Sequence, residues 1–303
     1  MSRINVCISC DNNYAQYAAV VMASILVNAT DEDFLYFYIL DGGIVDENKE
    51  KFNKLKSIKK CEIIFVKINR DDFSEYKKIK THSYLSVAAY YRLKAASLLP
   101  EVDKIIYFDC DIVVNSSLKD LYETDLQENI IAGALDIRVK HKNKWKKSNY
   151  INSGVVLFDL NKIRQQNIEN QFITYTKENI DKIDTGDQDI INFVLKDKIK
   201  IISDLWNVQV SGFASRTSYT NKPKIIHYIG SDKPWVYASN TYFKDLYFKY
   251  LQYTPWKLNE QDQEKWIKQN KIDSRKRFWA RRIYCIIHPK YWYVFILSKL
   301  KFI

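Results

Sequence analysis

Lys104-Ile105-Ile106-Tyr107-Phe108-Asp109-Cys110-Asp111-Ile112-Val113-Val114 places two aspartates, one residue apart, inside an otherwise apolar run. A continuous apolar run of this length reads as a strand buried on both faces, as in the middle of a largely parallel sheet. Alternate residues of an extended chain share a face, so Asp109 and Asp111 point the same way at the strand's carboxyl end. Open α/β sheets bind their ligands there. Adjacent carboxylates repel each other and resist burial, so the pair makes physical sense with a cation between them. The alternative is a polar turn with two solvated aspartates, and the flanking buried strand brings the metal reading level with it.

The segments around this run alternate strand and helix. Strands are expected at 4–9, 34–40 and 62–68, separated by an almost wholly apolar helix at 14–29 and a charged one at 46–57 that Asp46 caps. That alternation is the pattern of right-handed βαβ units and predicts a doubly wound α/β sheet. A helix at 83–99 carries Tyr90, Tyr91, Arg92 and Lys94, and Pro100 ends it. Further strands are expected at 130–135, ending at Asp136, and at 150–160, holding Asn152-Ser153-Gly154. Between them, 138–149 carries six Lys or Arg and Trp145, which reads as a solvated basic loop or as a lid over an anionic substrate. A helix at 161–182 leads to Thr185-Gly186-Asp187-Gln188-Asp189, whose polar groups could be simple capping of a helix at 190–195. A strand at 198–202 precedes an irregular region from Trp206-Asn207, and a strand at 225–230 delivers His227, followed by Gly230 and Lys233. A lone strand-end histidine is usually structural. The glycine turn and lysine after it have the composition of a site for a phosphate and its metal.

Composition narrows the chemistry. With 303 residues, 47% of them apolar, the chain can bury a full core in about one to two domains. It has only seven glycines and neither G-x-G-x-x-G nor G-x-x-x-x-G-K, so phosphate must be held by metal and side chains. Cys7, Cys10, Cys61, Cys110 and Cys285 form no disulfide framework and suggest a reducing compartment, with Cys7-x-x-Cys10 read as ordinary buried thiols. Neither a signal peptide nor a membrane-spanning helix is expected.

Charge is concentrated at one end. Residues 271–303 carry nine basic residues against Asp273, a net +8 of the chain's +11. Bases there alternate with rings in Arg275-Lys276-Arg277-Phe278-Trp279-Ala280-Arg281-Arg282-Ile283-Tyr284. This suits the headgroup region of an anionic membrane. A packed structural tail is the second reading and nucleic-acid binding a distant third. The expected organisation is an α/β domain over 1–255, catalytic on the resemblance given next, and a helical, basic and aromatic membrane-association region over 256–303.

In this order, the blocks resemble glycosyltransferase family 8, the retaining nucleotide-sugar enzymes, and within it the bacterial lipooligosaccharide galactosyl- and glucosyltransferase branch. The similarity runs over residues 3–255. It implies a single Rossmann-like domain of GT-A type, with a mixed, mostly parallel sheet. Asp11-Asn12-Asn13-Tyr14 matches the family's uridine-binding motif, in which Asp and Asn contact uracil and Tyr stacks on it. Ser9 and Cys110 join the implied donor-binding set. Arg92 matches the arginine that holds donor sugar and diphosphate. Asp109 and Asp111 match the metal-binding D-x-D, and His227, in His227-Tyr228-Ile229-Gly230-x-x-Lys233-Pro234-Trp235, matches the third ligand. Gly230 and Lys233 match diphosphate contacts, and Asp136, Asn152, Asp187 and Gln188 match residues around the donor hexose. Tyr84, with His82 nearby, stands at the position where a histidine occurs among relatives.

The resemblance implies a UDP-hexose donor, galactose or glucose, and a glycan or glycolipid acceptor of lipopolysaccharide biosynthesis. It also implies a peripheral place on the inner face of the cytoplasmic membrane. Two carboxylates and an imidazole, completed by diphosphate oxygens, suit Mn2+, with Mg2+ as the alternative. The metal and Lys233 would stabilise departing UDP. Gln188, nearest the anomeric carbon by the family pattern, is a poor nucleophile, with Asp187 beside it. The expectation is therefore same-face attack, a UDP phosphate oxygen taking the acceptor proton while Gln188 stabilises positive charge on the ring. The competing expectation is a non-catalytic nucleotide-sugar or glycan-binding module on the same fold.

Overall fold

The computed structural model describes residues 2–79, 87–137, 149–210, 222–236, 239, 241–259 and 261. The N-terminal part runs β1 (Ser2–Cys10), α1 (Ala15–Asn28), β2 (Asp33–Asp41), α2 (Asp46–Asn53) and β3 (Cys61–Lys67). A 3-10 helix, Val87–Lys94, then leads through α3 (Ala95–Leu98) into β4 (Lys104–Phe108) and β5 (Ile112–Val114). Next come α4 (Lys119–Tyr122), β6 (Ile131–Leu135), β7 (Ile151–Asp159), α5 (Leu160–Gln165), α6 (Ile168–Asn179) and α7 (Asp187–Val194). β8 (Ile199–Ile201), β9 (Val208–Val210), β10 (Ile225–Tyr228) and α8 (Lys244–Leu251) complete the described elements.

β1 shows why this is a layered α/β protein. Its alternate residues Ile4, Val6, Ile8 and Cys10 enter one core with the apolar faces of α1, while Cys7 enters a second core with Tyr90, Tyr91, Leu93 and residues of α5 to α7. From Ile4 on the strand is buried on both faces although its sequence alternates, because Asn5 on the second face is paired inside, donating to Lys104 O and Tyr122 Oη at 3.1 and 2.9 Å. α1 likewise buries ten residues, Ala15 and then Ala18 through Leu26. Seven strands form the large sheet in the order β3-β2-β1-β4-β7-β6-β8. All run parallel except β7, which is antiparallel to β4 and β6. The expected mixed, mostly parallel sheet is therefore present.

The run from Lys104 to Val114 departs from expectation in one respect. It is not one strand: β4 ends at Phe108, and β5 belongs to a second sheet of order β5-β10-β9. The aspartates sit in the crossing between the sheets. The small sheet has its own core of Val113, Val208, Val210, Ile226 and Tyr228, closed by Tyr247, Tyr250 and Leu251 of α8. Ser24 stitches it to α1, its Oγ accepting from the Val114 amide at 2.9 Å.

Three other expectations are corrected. The described part of the helix expected at 83–99 is 3-10 over Val87–Lys94, because Tyr90, Tyr91, Arg92 and Leu93 are buried in succession and packing on every side, not one apolar stripe, sets its winding. The helix expected at 161–182 is broken at Asn167, which takes a left-handed conformation (φ 51°). β9 stands in the region expected to be irregular. Cys7, Cys10, Cys61 and Cys110 are free and buried. The histidine-equivalent position Tyr84, His82, nearly all of the basic loop, Cys285 and residues 262–303 lie outside the described residues.

Candidate active site

A cavity of about 370 Å3 opens at the carboxyl ends of β1 and β4, and most of the residues singled out in the sequence line it. Ser9, Asp11 and Tyr14 come from the end of β1, Arg92 from the 3-10 helix, and Asp109, Cys110 and Asp111 from the crossing. Asn152 comes from β7, Asp187 and Gln188 from the first turn of α7, and His227, Gly230 and Lys233 from β10 and the turn after it. Asn13 does not line the cavity: its side chain is exposed and its amide donates to Asp11. Asp136 lies behind the wall, 1% exposed, holding two wall residues by hydrogen bonds.

Strand pairing assembles the acidic end. β10 runs antiparallel to β5 with His227 opposite Ile112, so the histidine arrives beside Asp111. Its Nε2 lies 3.2 Å from Asp111 Oδ1 and 3.8 Å from Asp109 Oδ2. The three side chains each offer a ligand atom within 4.8 Å of the others. Ligands at about 2.1 Å from one ion span about 4.2 Å when opposed, so the set is compact enough for a single divalent cation. Asp111 Oδ1 is buried without a hydrogen bond, an expensive state that a cation would relieve. Gly154 provides the room: a Cβ there would meet His227 Cε1 at 2.2 Å and Asp109 Oδ2 at 2.8 Å.

Two cations brace these carboxylates. Burial pushes the Asp111 carboxyl up, but Lys233 and His227 outweigh it and hold it far below the usual range. Lys233 pairs with Asp111 Oδ2 and also donates to Tyr228 O at 2.5 Å, folding back across Gly230, whose φ of 74° gives the turn. Arg92 is buried against the face of Tyr107, 4.0 Å from the ring centroid. It donates to Ala89 O, Ser153 O and Asp109 Oδ1, the last at 2.6 Å, and its Nε lies 3.2 Å from Asp187 Oδ2. Arg92 thus ties the metal-side carboxylate to the carboxylate on α7. Burial drives the Asp187 pKa up to about 6, with Arg92 pulling down and Asp109 adding to the rise. The neighbouring Cys10 thiol and burial push the Cys110 thiol well up, so it fills space as a neutral group.

The far wall is a polar floor. Gly186, with φ 66°, makes the sharp entry into α7. Asn192 clamps that helix to β7 through the amide and carbonyl of Ile151 at 2.7 and 2.9 Å. Gln188 is fixed in consequence. Its Oε1 accepts from Asn152 Nδ2 and the Ser153 amide, each at 3.2 Å, and its Nε2 donates to Asp136 Oδ2 at 2.9 Å. Sequence reasoning missed Tyr107, Ser153, Thr185 and Asn207. Of these, Ser153 adjoins a motif and could have been found; Tyr107 looked like core and Asn207 like loop.

Residues 5–239 match the model of glycosyl transferase family 8. The chain belongs to that family. General stress protein A of Bacillus subtilis is 29% identical over 270 residues, covering 82% of this chain and 93% of the relative. A lipopolysaccharide 1,2-glucosyltransferase of Escherichia coli is 28% identical over 276 residues, 84% of this chain and 79% of the relative. Among solved structures, the galactosyltransferase LgtC in complex with donor and acceptor sugar analogs superposes with a TM-score of 0.75 at 23% identity, covering 85% of this chain and 98% of that one. The family-8 protein therefore has the GT-A-like fold, and its Asp109, Asp111 and His227 cluster fits the divalent metal site typical of the family.

Proposed function

We propose that this family-8 glycosyltransferase moves a hexose, galactose or glucose, from UDP to a glycan acceptor of lipopolysaccharide or lipooligosaccharide type with retention of configuration. The observation that carries the reading is the convergence of Asp109, Asp111 and His227 on one side of the cavity, with Lys233 beside them and Gln188 fixed in the opposite wall. Relatedness to a lipopolysaccharide glucosyltransferase supports the acceptor class.

In this reading Asp109, Asp111 and His227 hold Mn2+, or Mg2+ in its place. When bound, the metal supplies Lewis-acid neutralisation of charge on the diphosphate. The imidazole tips the choice towards Mn2+. Ser9, Asp11 and Tyr14 bind the uridine end, and Lys233 and Gly230 hold the diphosphate. Lys233 adds a fixed charge aimed at the departing phosphate. Arg92, already bonded to Asp109 and near Asp187, orients the sugar between the two. Gln188, its oxygen held by Asn152 and Ser153, is a poor nucleophile in a fixed position. Its negative end stabilises positive charge on the ring during same-face attack, and a UDP phosphate oxygen takes the acceptor proton. A hexosyl adduct on Asp187 or Gln188, trapped and read by mass spectrometry, would replace this with double displacement.

The test is a panel of UDP-sugars with Mn2+, scored for UDP release, with the anomeric configuration of the product read by NMR. UDP release should depend on Mn2+ and fall by about 10²–10³-fold in Asp109→Ala and His227→Ala. UDP binding without turnover on any donor and acceptor would instead identify a nucleotide-sugar-binding module.

A further inference from the structure

Asn207 is 1% exposed and lies between the two halves of the site. Its Oδ1 is 3.1 Å from His227 Nδ1, and its Nδ2 donates to Asn152 Oδ1 at 3.0 Å. Asn152 in turn donates from Nδ2 to Gln188 Oε1 and Asp136 Oδ2, at 3.2 and 3.3 Å, while its Oδ1 also accepts from the Gly154 amide at 3.1 Å. All of these side chains are buried.

The direction of every bond in this row is determined by groups that have no choice. A backbone N–H only donates, so Gly154 fixes Asn152 Oδ1 as acceptor and Ser153 fixes Gln188 Oε1 as acceptor. The nitrogen ends of the two amides are thereby the donors, Gln188 Nε2 and Asn152 Nδ2 both to Asp136 Oδ2. Asn207 must then turn its Nδ2 towards Asn152 Oδ1, which leaves its Oδ1 facing His227. An oxygen there accepts from Nδ1, which leaves Nε2 to face Asp109 and Asp111, where a cation between them would take its lone pair. A reversed Asn207 would set two donors, or two acceptors, against each other in a buried place.

We propose that Asn207 is a positioning residue that fixes the His227 tautomer and ring orientation for metal binding, with its own orientation imposed by the floor that holds Gln188. The inference rests on the metal reading of Asp109, Asp111 and His227, and it joins the metal side and the sugar side of the cavity through one hydrogen-bonded row. Partners of a metal-ligating imidazole typically matter by 10–100-fold in metal affinity.

Two measurements test it. In full-length protein with diamagnetic Mg2+ and UDP bound, 15N–1H NMR should show a His227 Nδ1 proton protected from exchange, with the protection lost in Asn207→Leu. An Nδ1 proton that exchanges equally fast in the parent and in Asn207→Leu overturns the proposal. Mn2+ titration in the presence of UDP, by calorimetry, should show affinity reduced about 10–100-fold in Asn207→Leu, with Asn207→Asp, which keeps an oxygen opposite Nδ1, within about threefold of the parent. Equal losses in both variants, tracking a loss of thermal stability, would make Asn207 a packing residue only. Wild-type affinity in Asn207→Leu would remove it from the site. Should the parent bind neither Mn2+ nor Mg2+, the metal reading itself fails, a result distinct from metal binding in the parent that Asn207→Leu leaves unchanged.

Discussion

Asp187 sits buried on the first turn of α7 with a pKa near 6, against about 3.9 for a free aspartate. Its folded-state pKa is raised, so the folded protein binds this proton more tightly than the unfolded chain. The stabilisation this gives is complete below the unfolded pKa and is lost as pH rises through about 6. The difference corresponds to ~3 kcal/mol as an order of magnitude. Asp111 has the opposite slope, because its depressed pKa stabilises the fold above the unfolded value and fails as pH falls. Total stability therefore mixes both, but a comparison of parent with Asp187→Asn isolates the first. Thermal unfolding of the two should coincide near pH 4, diverge as pH rises to about 6 and stay apart above it, with the variant the more stable. Curves that stay parallel from pH 4 to 8 would mean that Arg92, 3.2 Å away, already offsets the burial of the charge.

β7 shows how a strand constrains a site that it does not itself complete. Its Gly154 leaves space for the His227 ring and the Asp109 carboxylate, both fixed groups. A Cβ added at Gly133 on β6 would meet Ile151 Cδ1 at 2.6 Å, the movable end of an aliphatic chain. Gly133→Ala should cost roughly 1–3 kcal/mol of stability and leave Mn2+ affinity in the presence of UDP unchanged. Gly154→Ala should weaken that affinity by about tenfold or more, because the ring and carboxylate must move apart. Equal metal affinity in the two variants would show that the triad tolerates displacement. This contrast also marks what could be read from sequence. The apolar run with Asp109 and Asp111 announced a buried strand and a ligand end, because both signals are local. The division of that run between two sheets was hidden, since it depends on β5 pairing with β10 more than a hundred residues away. Asn207 was hidden for a related reason: its meaning comes from His227 and Asn152, and nothing in its neighbourhood in the chain distinguishes it from a loop amide.

At the scale of the molecule the charge is lopsided, with +8 of the net +11 in residues 271–303. The remainder is close to neutral and has no electrostatic reason to seek an anionic surface. No helix among the described residues is long and apolar enough to cross a membrane. Attachment through residues 271–303, whose sequence interleaves bases with rings, would be interfacial: each base near an anionic surface contributes about 1 kcal/mol, and aromatic rings would sit at headgroup depth. Charge attraction of this kind is screened within about 8 Å at physiological ionic strength. Co-sedimentation with vesicles containing phosphatidylserine should be strong at low salt, weaker at 0.5 M salt, and absent with neutral lipid. Deleting residues 271–303 should abolish it while hydrolysis of the UDP-sugar donor stays within about twofold, since every residue assigned to the donor lies between Ser9 and Lys233. A truncated protein that unfolds would mean that this region packs on the domain as structure. One that folds and still binds vesicles would move the membrane contact onto the nearly neutral body, where charge could not account for it.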